Sequence, residues 1–367
     1  MIVVVKVGTS SITDDDGAID RLAVEKLCGE VAELRRSSHE VVVVSSGAIA
    51  AGRPALGVSL GVSASKPADL ATLQAISAVG QSRLMRVYDD ALGAHGLLAG
   101  QVLLAPLDFV HRKQYLHARQ TVTRLLQLGV VPVVNENDAV ADDEIRFGDN
   151  DRLAALVANL VGAEVLVVLT DTPGLLTGDP RLMEDASLVE EVLAVDHELE
   201  RMAGGAGTPR GSGGMASKLA AAKMAAWSGV RVVIGAASRP GVLAGAVAGD
   251  PGVGTVVRAH DRRLPARKLW IAFAVGASGR VVVDDGARVA VVERYRSLLP
   301  AGVVAVEGVF EADDAVEIAD LAGQVLAKGL VRHPSRRVEE WAGKRTADLP
   351  PDLPHEVVHR DDLVVLV

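Results

Sequence analysis

Two lysines, two clusters of amides and carboxylates, and one glycine-rich run are the residues of this chain best suited to chemistry. Lys6 lies near the end of an apolar run, which passes through Val7 to Gly8, Thr9 and Ser10. A lysine is a compact positive charge suited to a phosphate, and a glycine lets backbone approach a ligand closely. A second apolar run ends in Ser45-Ser46-Gly47-Ala48, small residues that leave room and N–H donors for an anion. A third ends in Asn135-Glu136-Asn137-Asp138. Four such side chains are costly to bury without partners, so they suit an amino group, a hydroxyl, a metal or a solvated loop. Gly148-Asp149-Asn150-Asp151 opens a helical pattern, where Asp149 or Asn150 also fits a plain N-cap. Thr170-Asp171 closes a further apolar run. The glycine-rich stretch 204–214 leads through Ser212, Gly213, Gly214, Met215, Ala216 and Ser217 to Lys218, one turn into a helix. A glycine loop at a helix N-terminus is a ready phosphate site.

Taken together these residues point to phosphoryl transfer. That reaction needs positioning and charge neutralisation and little covalent chemistry, which two lysines and a metal supply. No Ser-His-Asp or Cys-His arrangement competes, and the nine histidines show no HExxH spacing. The phosphate-binding motif GxxxxGK[ST] is absent, and no G-x-G-x-x-G follows the first strand.

The elements that must position these groups are short strands. Residues 2–7, 41–44, 97–104, 130–134, 165–169 and 230–234 are apolar on both faces, as parallel strands covered by helices require. Helical patterns over 21–36, 70–95, 112–128, 152–162 and 215–228 separate them. The alternation predicts an α/β domain, a mostly parallel sheet sandwiched by helices, with ligands along the edge of strand C-termini. It ends near Val257. The basic run 258–268, with Pro265, reads as a linker, extended here to 258–277. Short strands are then expected at 279–283, 289–292, 303–306, 315–318 and 363–367, a small β-rich domain over 278–367.

Composition narrows the classes further. The chain has 367 residues, 49% hydrophobic, 23% charged and only 3% aromatic, so the core is built from Val, Leu, Ile and Ala. The length suggests two domains. A net charge of −9 argues against general nucleic-acid binding. The single Cys28 excludes an intrachain disulfide and cysteine-built zinc sites. No apolar stretch reaches the ~18 residues of a spanning helix, and a cytoplasmic protein without membrane contact is expected.

The ordered runs VVKVGTSSIT, SSGAIAAG, AVGQSRLM, VVPVVNENDAVA, GDNDRLAALVA, LLTGDP and GSGGMASKLAAA resemble the amino acid kinase family over essentially the whole chain. Residues 279–366 resemble the PUA domain that many bacterial members carry. Within the family, the Lys-x-Gly-Thr start sets this chain apart from acetylglutamate kinases and aspartokinases. The resemblance implies ATP-dependent phosphorylation of the γ-carboxylate of L-glutamate, the first step of proline biosynthesis, with proline as a feedback inhibitor. Lys6, with Gly8 beside it, would bind the ATP phosphates. Ser46, Asp138 and Asn150 would contact glutamate, with Gly47, Asn135 and Asp149 nearby. Thr170, Asp171 and the run from Ser212 to Lys218 would hold the nucleotide. Lys218 would stabilise the transferring phosphoryl group, and Asp151 would orient both lysines. Mg²⁺ would arrive with ATP, with no metal ligand assigned to the protein. Ala216-Ser217 stand where many members have Ser-Thr, so one hydroxyl is missing. The family also implies dimers or tetramers.

Two other readings have discriminating features. A kinase for a phosphorylated acceptor would show an arginine-rich acceptor site, whereas the two amide and carboxylate clusters favour an acceptor bearing an ammonium group. PUA domains often bind RNA, but residues 278–367 carry 11 Lys and Arg against 16 Asp and Glu, which disfavours it.

Overall fold

The computed structural model describes residues 1–60, 69–109, 111–140, 150–178, 183, 185–203, 214–261 and 263–367. They form two compact units, Met1–Leu264 and Pro265–Val367.

The first unit is built on one sheet. Its strands are β1 (Ile2–Val7), β2 (Glu40–Ser45), β3 (Ala99–Leu104), β4 (Val131–Glu136), β5 (Val165–Thr170), β6 (Glu191–Val192), β7 (Arg231–Ala236) and β8 (Thr255–Val257), in the order β3-β4-β2-β1-β5-β7-β8-β6. The stretch from β3 to β7 is parallel throughout, and only the β7–β8 pair is antiparallel. β1 is central, with Lys6 in register with Val44 of β2 and Val168 of β5. Valines 3–5 and 41–44 are buried, which places helices on both faces. These helices are α1 (Arg21–Arg36), α2 (Ala48–Leu60), α3 (Leu70–Gly93), α4 (Arg112–Gln127), α5 (Asn150–Val161), α6 (His197–Ala203), α7 (Met215–Ala226) and α8 (Val242–Ala248). α1 packs against α3 and α8, whereas α5 packs against α4 and α7. Local chemistry starts two of them: the Asp20 carboxylate accepts from the N–H groups of Leu22 and Ala23, and Asp69 accepts from Thr72 N–H.

α2 and α3 meet backbone to backbone. A Cβ added to Gly80 would lie 1.8 Å from the Ala48 carbonyl oxygen, and one on Gly52 would lie 2.0 Å from that of Ile76. Only glycine permits this approach, and it brings α3 up to the loop that follows β2. That loop turns at Gly47, whose φ of +100° suits no L side chain.

The second unit has a five-stranded sheet of β9 (Gly279–Val283), β10 (Val303–Gly308), β11 (Ala315–Ala319), β12 (Val325–Val331) and β13 (Val358–Val365), in the order β10-β9-β11-β12-β13. Its helices are α9 (Ala266–Leu269), α10 (Asp285–Val292) and α11 (Ser335–Trp341). Val281, Val283, Phe310, Ile318 and Val338 sit in its core. The α/β sandwich and the separate β-rich unit are those expected.

Some local expectations differ from the structure. Residues 289–292 are the end of α10 and not a strand, because Asp284 caps that helix through Ala287 N–H. β12 is absent from the expected strands, since Lys328 and Gly329 interrupt its apolar run. The stretch expected as a linker holds α9 and a following π-helical turn, Trp270–Ala274. Leu269 and Ile271 are buried there, and the turn packs against β12 and β13.

Candidate active site

The sheet edge at the C-termini of β1, β2, β4 and β5 gathers the expected chemistry. β1 delivers Lys6 from the centre of the sheet. α5 begins at Asn150 and packs against β1, which brings Asp151 to Lys6. The Lys6 Nζ lies 2.5 Å from Asp151 Oδ1. α7 packs against α5 and brings the Lys218 Nζ to 3.8 Å from Asp151 Oδ2. The Ser217 Oγ donates to the same oxygen at 3.0 Å and also lies 2.9 Å from the Gly214 carbonyl oxygen. Asp151 is 2% exposed, and the two lysine side chains are 6% and 10% exposed.

The electrostatics follow from this packing. Burial pushes the Asp151 carboxyl up, but Lys6, Lys218 and the hydrogen bonds from Lys6 and Ser217 outweigh it, and its pKa lies below the usual carboxylate value. The aspartate is therefore an anion that holds two cations in place at the sheet edge. α7 adds further positive potential. Gly214 is its N-cap and supplies no side chain, and the first-turn N–H groups of Met215, Ala216 and Ser217 have no intrahelical acceptor. α7 ends at Trp227, whose indole stacks on the His260 ring at 4.7 Å.

Thr170 and Asp171 lie at the end of β5, with the Thr170 Oγ1 donating to Asp171 Oδ1 at 3.0 Å. They border a cavity of about 310 Å³ walled also by Ser10, Ser11, Lys26 and Ser238. Gly8 lies two residues beyond Lys6, and a Cβ there would come within 3.3 Å of the Lys6 Nζ.

A second group of side chains forms a network of amides. The Asn150 Nδ2 donates to Ser46 Oγ at 2.9 Å and to Asn135 Oδ1 at 3.0 Å, and lies 3.3 Å from the Ser45 carbonyl oxygen. The Asn135 Nδ2 donates to Gln81 Oε1 at 2.8 Å. Ser46 N–H donates to the Val7 carbonyl, which ties this loop to the end of β1. Asp138 accepts a hydrogen bond from the Ser77 hydroxyl. Burial pushes its carboxyl above the usual range, and the Ser77 bond only partly offsets that.

The structure thus brings together Lys6, Asp151, Ser217 and Lys218 in one cluster, and Ser46, Asn135 and Asn150 in another. Asp138 stands on Ser77, and Gly47 is the turn beside Ser46. Asp149, Ser212 and Gly213 lie outside the described residues. Sequence reasoning missed the part played by α3. Ser77, Gln81 and Tyr88 share one helix face and hold Asp138, Asn135 and Ser45, the last through a 2.8 Å contact between hydroxyls. The signal was available in the run AVGQSRLM and in the i, i+4, i+11 spacing of these polar residues.

The model of the amino acid kinase family matches residues 1–236, and that of the PUA domain matches residues 279–350. The fold is similar to that of a carbamate kinase from Giardia lamblia bound to AMP-PNP, with a TM-score of 0.50, 18% identity, and coverage of 71% of this chain and 98% of that one. The chain belongs to the amino acid kinase family, with a PUA domain after the kinase region. Its full-length relatives carry a more particular name. Glutamate 5-kinase of Pelobacter propionicus is 45% identical over 99% of this chain and 97% of its own length. Glutamate 5-kinase of Chromobacterium violaceum is 45% identical with the same coverage.

Proposed function

We propose that this protein phosphorylates the γ-carboxylate of L-glutamate with ATP, giving L-glutamyl 5-phosphate and ADP. The observation that carries the reading is the convergence of Lys6 and Lys218 on the buried Asp151, one residue from Asn150 in the amide network. A glutamate side chain, which ordinarily titrates at about pH 4.3, is ionised at neutral pH, so the reaction needs no general base. The difficulty is to bring one anion against another. Lys6 and the N-terminus of α7 lower that repulsion on the phosphate side, and Lys218 follows the negative charge as it moves to the leaving ADP. Ser46, Asn135, Asp138 and Asn150 hold the amino acid. The identity of about 45% to glutamate 5-kinases over the full chain supports this acceptor.

Magnesium belongs to the same reading as the companion of the ATP phosphates. Among the described residues no group of three or more His, Cys, Asp or Glu is placed to hold a metal ion, and Asp151 is engaged by two lysines. When bound, the ion neutralises phosphate charge. The reading further includes a first step toward proline, inhibition by proline, assembly into dimers or tetramers, and a cytoplasmic location. Among the described residues no helix is long and apolar enough to cross a membrane. The second unit bears an excess of acidic residues, which favours a role other than RNA binding.

The test is incubation with ATP, Mg²⁺, L-glutamate and hydroxylamine. Glutamate-dependent γ-glutamyl hydroxamate is the expected product, and proline added to the same tube examines feedback. A folded, ATP-binding protein that makes none would redirect the acceptor to another small carboxylate.

A further inference from the structure

The run AVGQSRLM on α3 contributes no side chain to the phosphoryl cluster, yet Gln81 within it is buried against the acceptor side. The hydrogen bonds around it have a polarity fixed at both ends by the backbone. Glu136 N–H donates to Asn135 Oδ1 at 2.9 Å, and a backbone N–H is a donor only. The oxygen of Asn135 must therefore face that way, and its Nδ2 must face Gln81 Oε1. At the other end, the Ser45 carbonyl is an acceptor only, so the Asn150 Nδ2 faces it, with Asn135 Oδ1 and Ser46 Oγ as its closer partners.

Two consequences follow for a ligand. The Asn150 Oδ1 is buried and has no hydrogen-bond partner among the described residues. The Ser46 hydroxyl receives a bond from Asn150 and keeps its own proton to donate. The network therefore offers an acceptor at Asn150, a carboxylate at Asp138 and a donor at Ser46, which matches the ammonium and carboxylate of a free amino acid.

We propose that Gln81 is a positioning residue for the acceptor, acting through Asn135 and Asn150 to keep the Asn150 oxygen turned toward the substrate ammonium. This rests on the proposed glutamate acceptor. Asn135 is 2% exposed, so without Gln81 Oε1 its Nδ2 has neither protein nor water to bond. The side chain then turns to find a partner, and the Asn150 contact goes with it. Gln81 uses only its oxygen in this network, and its Nε2 has no partner among the described residues. An oxygen acceptor of the same reach is therefore sufficient.

The experiment is steady-state kinetics on the full chain by the hydroxamate assay. It compares wild type, Gln81→Met, which keeps the shape and removes the acceptor, and Gln81→Glu, which restores one. The expected result for Gln81→Met is a rise in glutamate KM of roughly tenfold, the scale of one orphaned buried donor, with ATP KM and kcat within about threefold. Preference for glutamate over glutarate, which lacks the ammonium, falls by the same factor. Gln81→Glu recovers glutamate KM to within about threefold of wild type. An unchanged glutamate KM in a folded Gln81→Met protein overturns the proposal while leaving the glutamate reading intact. So does an equal loss in ATP KM and kcat, which marks general collapse of the site. A wild-type protein without glutamate-dependent hydroxamate overturns both.

Discussion

Asn150 and Asp151 are consecutive residues whose side chains serve different halves of the site. The Asn150 amide reaches Ser46 and Asn135 at the ends of β2 and β4, whereas the Asp151 carboxylate reaches Lys6 and Lys218. The first turn of α5 thus joins the amide network to the two-lysine cluster. Small errors in such alignment are costly to rate, because the reacting atoms must stand about 3–3.5 Å apart.

Lys218 should be needed for chemistry and dispensable for folding. Lys218→Ala is expected to lower kcat by about 10²–10³ or more, as removal of a charge-stabilising group does elsewhere. Circular dichroism should stay native. Near wild-type turnover would remove Lys218 from the reaction.

Asp151 gives the protein an acid-sensitive element. Its folded-state pKa is depressed, so its stabilisation is fully present above the unfolded value of about 3.9 and is lost as pH falls through the folded-state value. Asp151→Asn should weaken that acid dependence. At neutral pH it leaves two buried cations without their anion, at an expected cost of about 3–5 kcal/mol. Urea unfolding at pH 7 measures the cost, and the same measurement repeated as pH falls below about 3.9 measures the acid dependence.

Asp138 has the opposite sign. Burial holds its carboxyl above the usual value, so folding is favoured by its protonated form and that contribution is lost as pH rises through the folded-state pKa. Binding an ammonium needs the ionised form. Glutamate KM should therefore rise as pH drops through a value above the ordinary carboxylate range, while ATP KM stays flat. In Ser77→Ala the bond that favours ionisation is gone, and the limb should move to higher pH.

Gly80→Ala tests the close approach of α2 and α3. Its methyl would meet the Ala48 carbonyl oxygen, part of the backbone that cannot swing aside. A loss of about 1–3 kcal/mol is expected, read as a lower Tm. Because the displaced segment follows Ser46, glutamate KM should suffer more than ATP KM.

Much of this architecture is legible in the sequence because valine-rich runs and capped helices leave strong periodic signals. The bounds of β1 and α1 agree with the sequence pattern to the residue, since Gly8 closes the first and the capping Asp20 opens the second. Lys6, Asp151 and Lys218 are legible as strand-end and helix-start residues. The α10 valines mislead because four apolar residues read equally as strand or buried helix. The polar face of α3 is hidden for a different reason. Ser77 and Gln81 look like ordinary surface residues until tertiary packing sets α3 against the ends of β2 and β4, and one sequence does not reveal which helix covers which strand.

Trp227 has an optical consequence. It is the lone tryptophan of the first unit, at the far end of the helix whose first turn carries Ser217 and Lys218, and the other two, Trp270 and Trp341, belong to the second. With those two changed to phenylalanine, emission from the chain would come from a single fluorophore on α7. The protein would then carry its own dye on the helix proposed to meet the phosphates, so nucleotide arrival could be timed without any label.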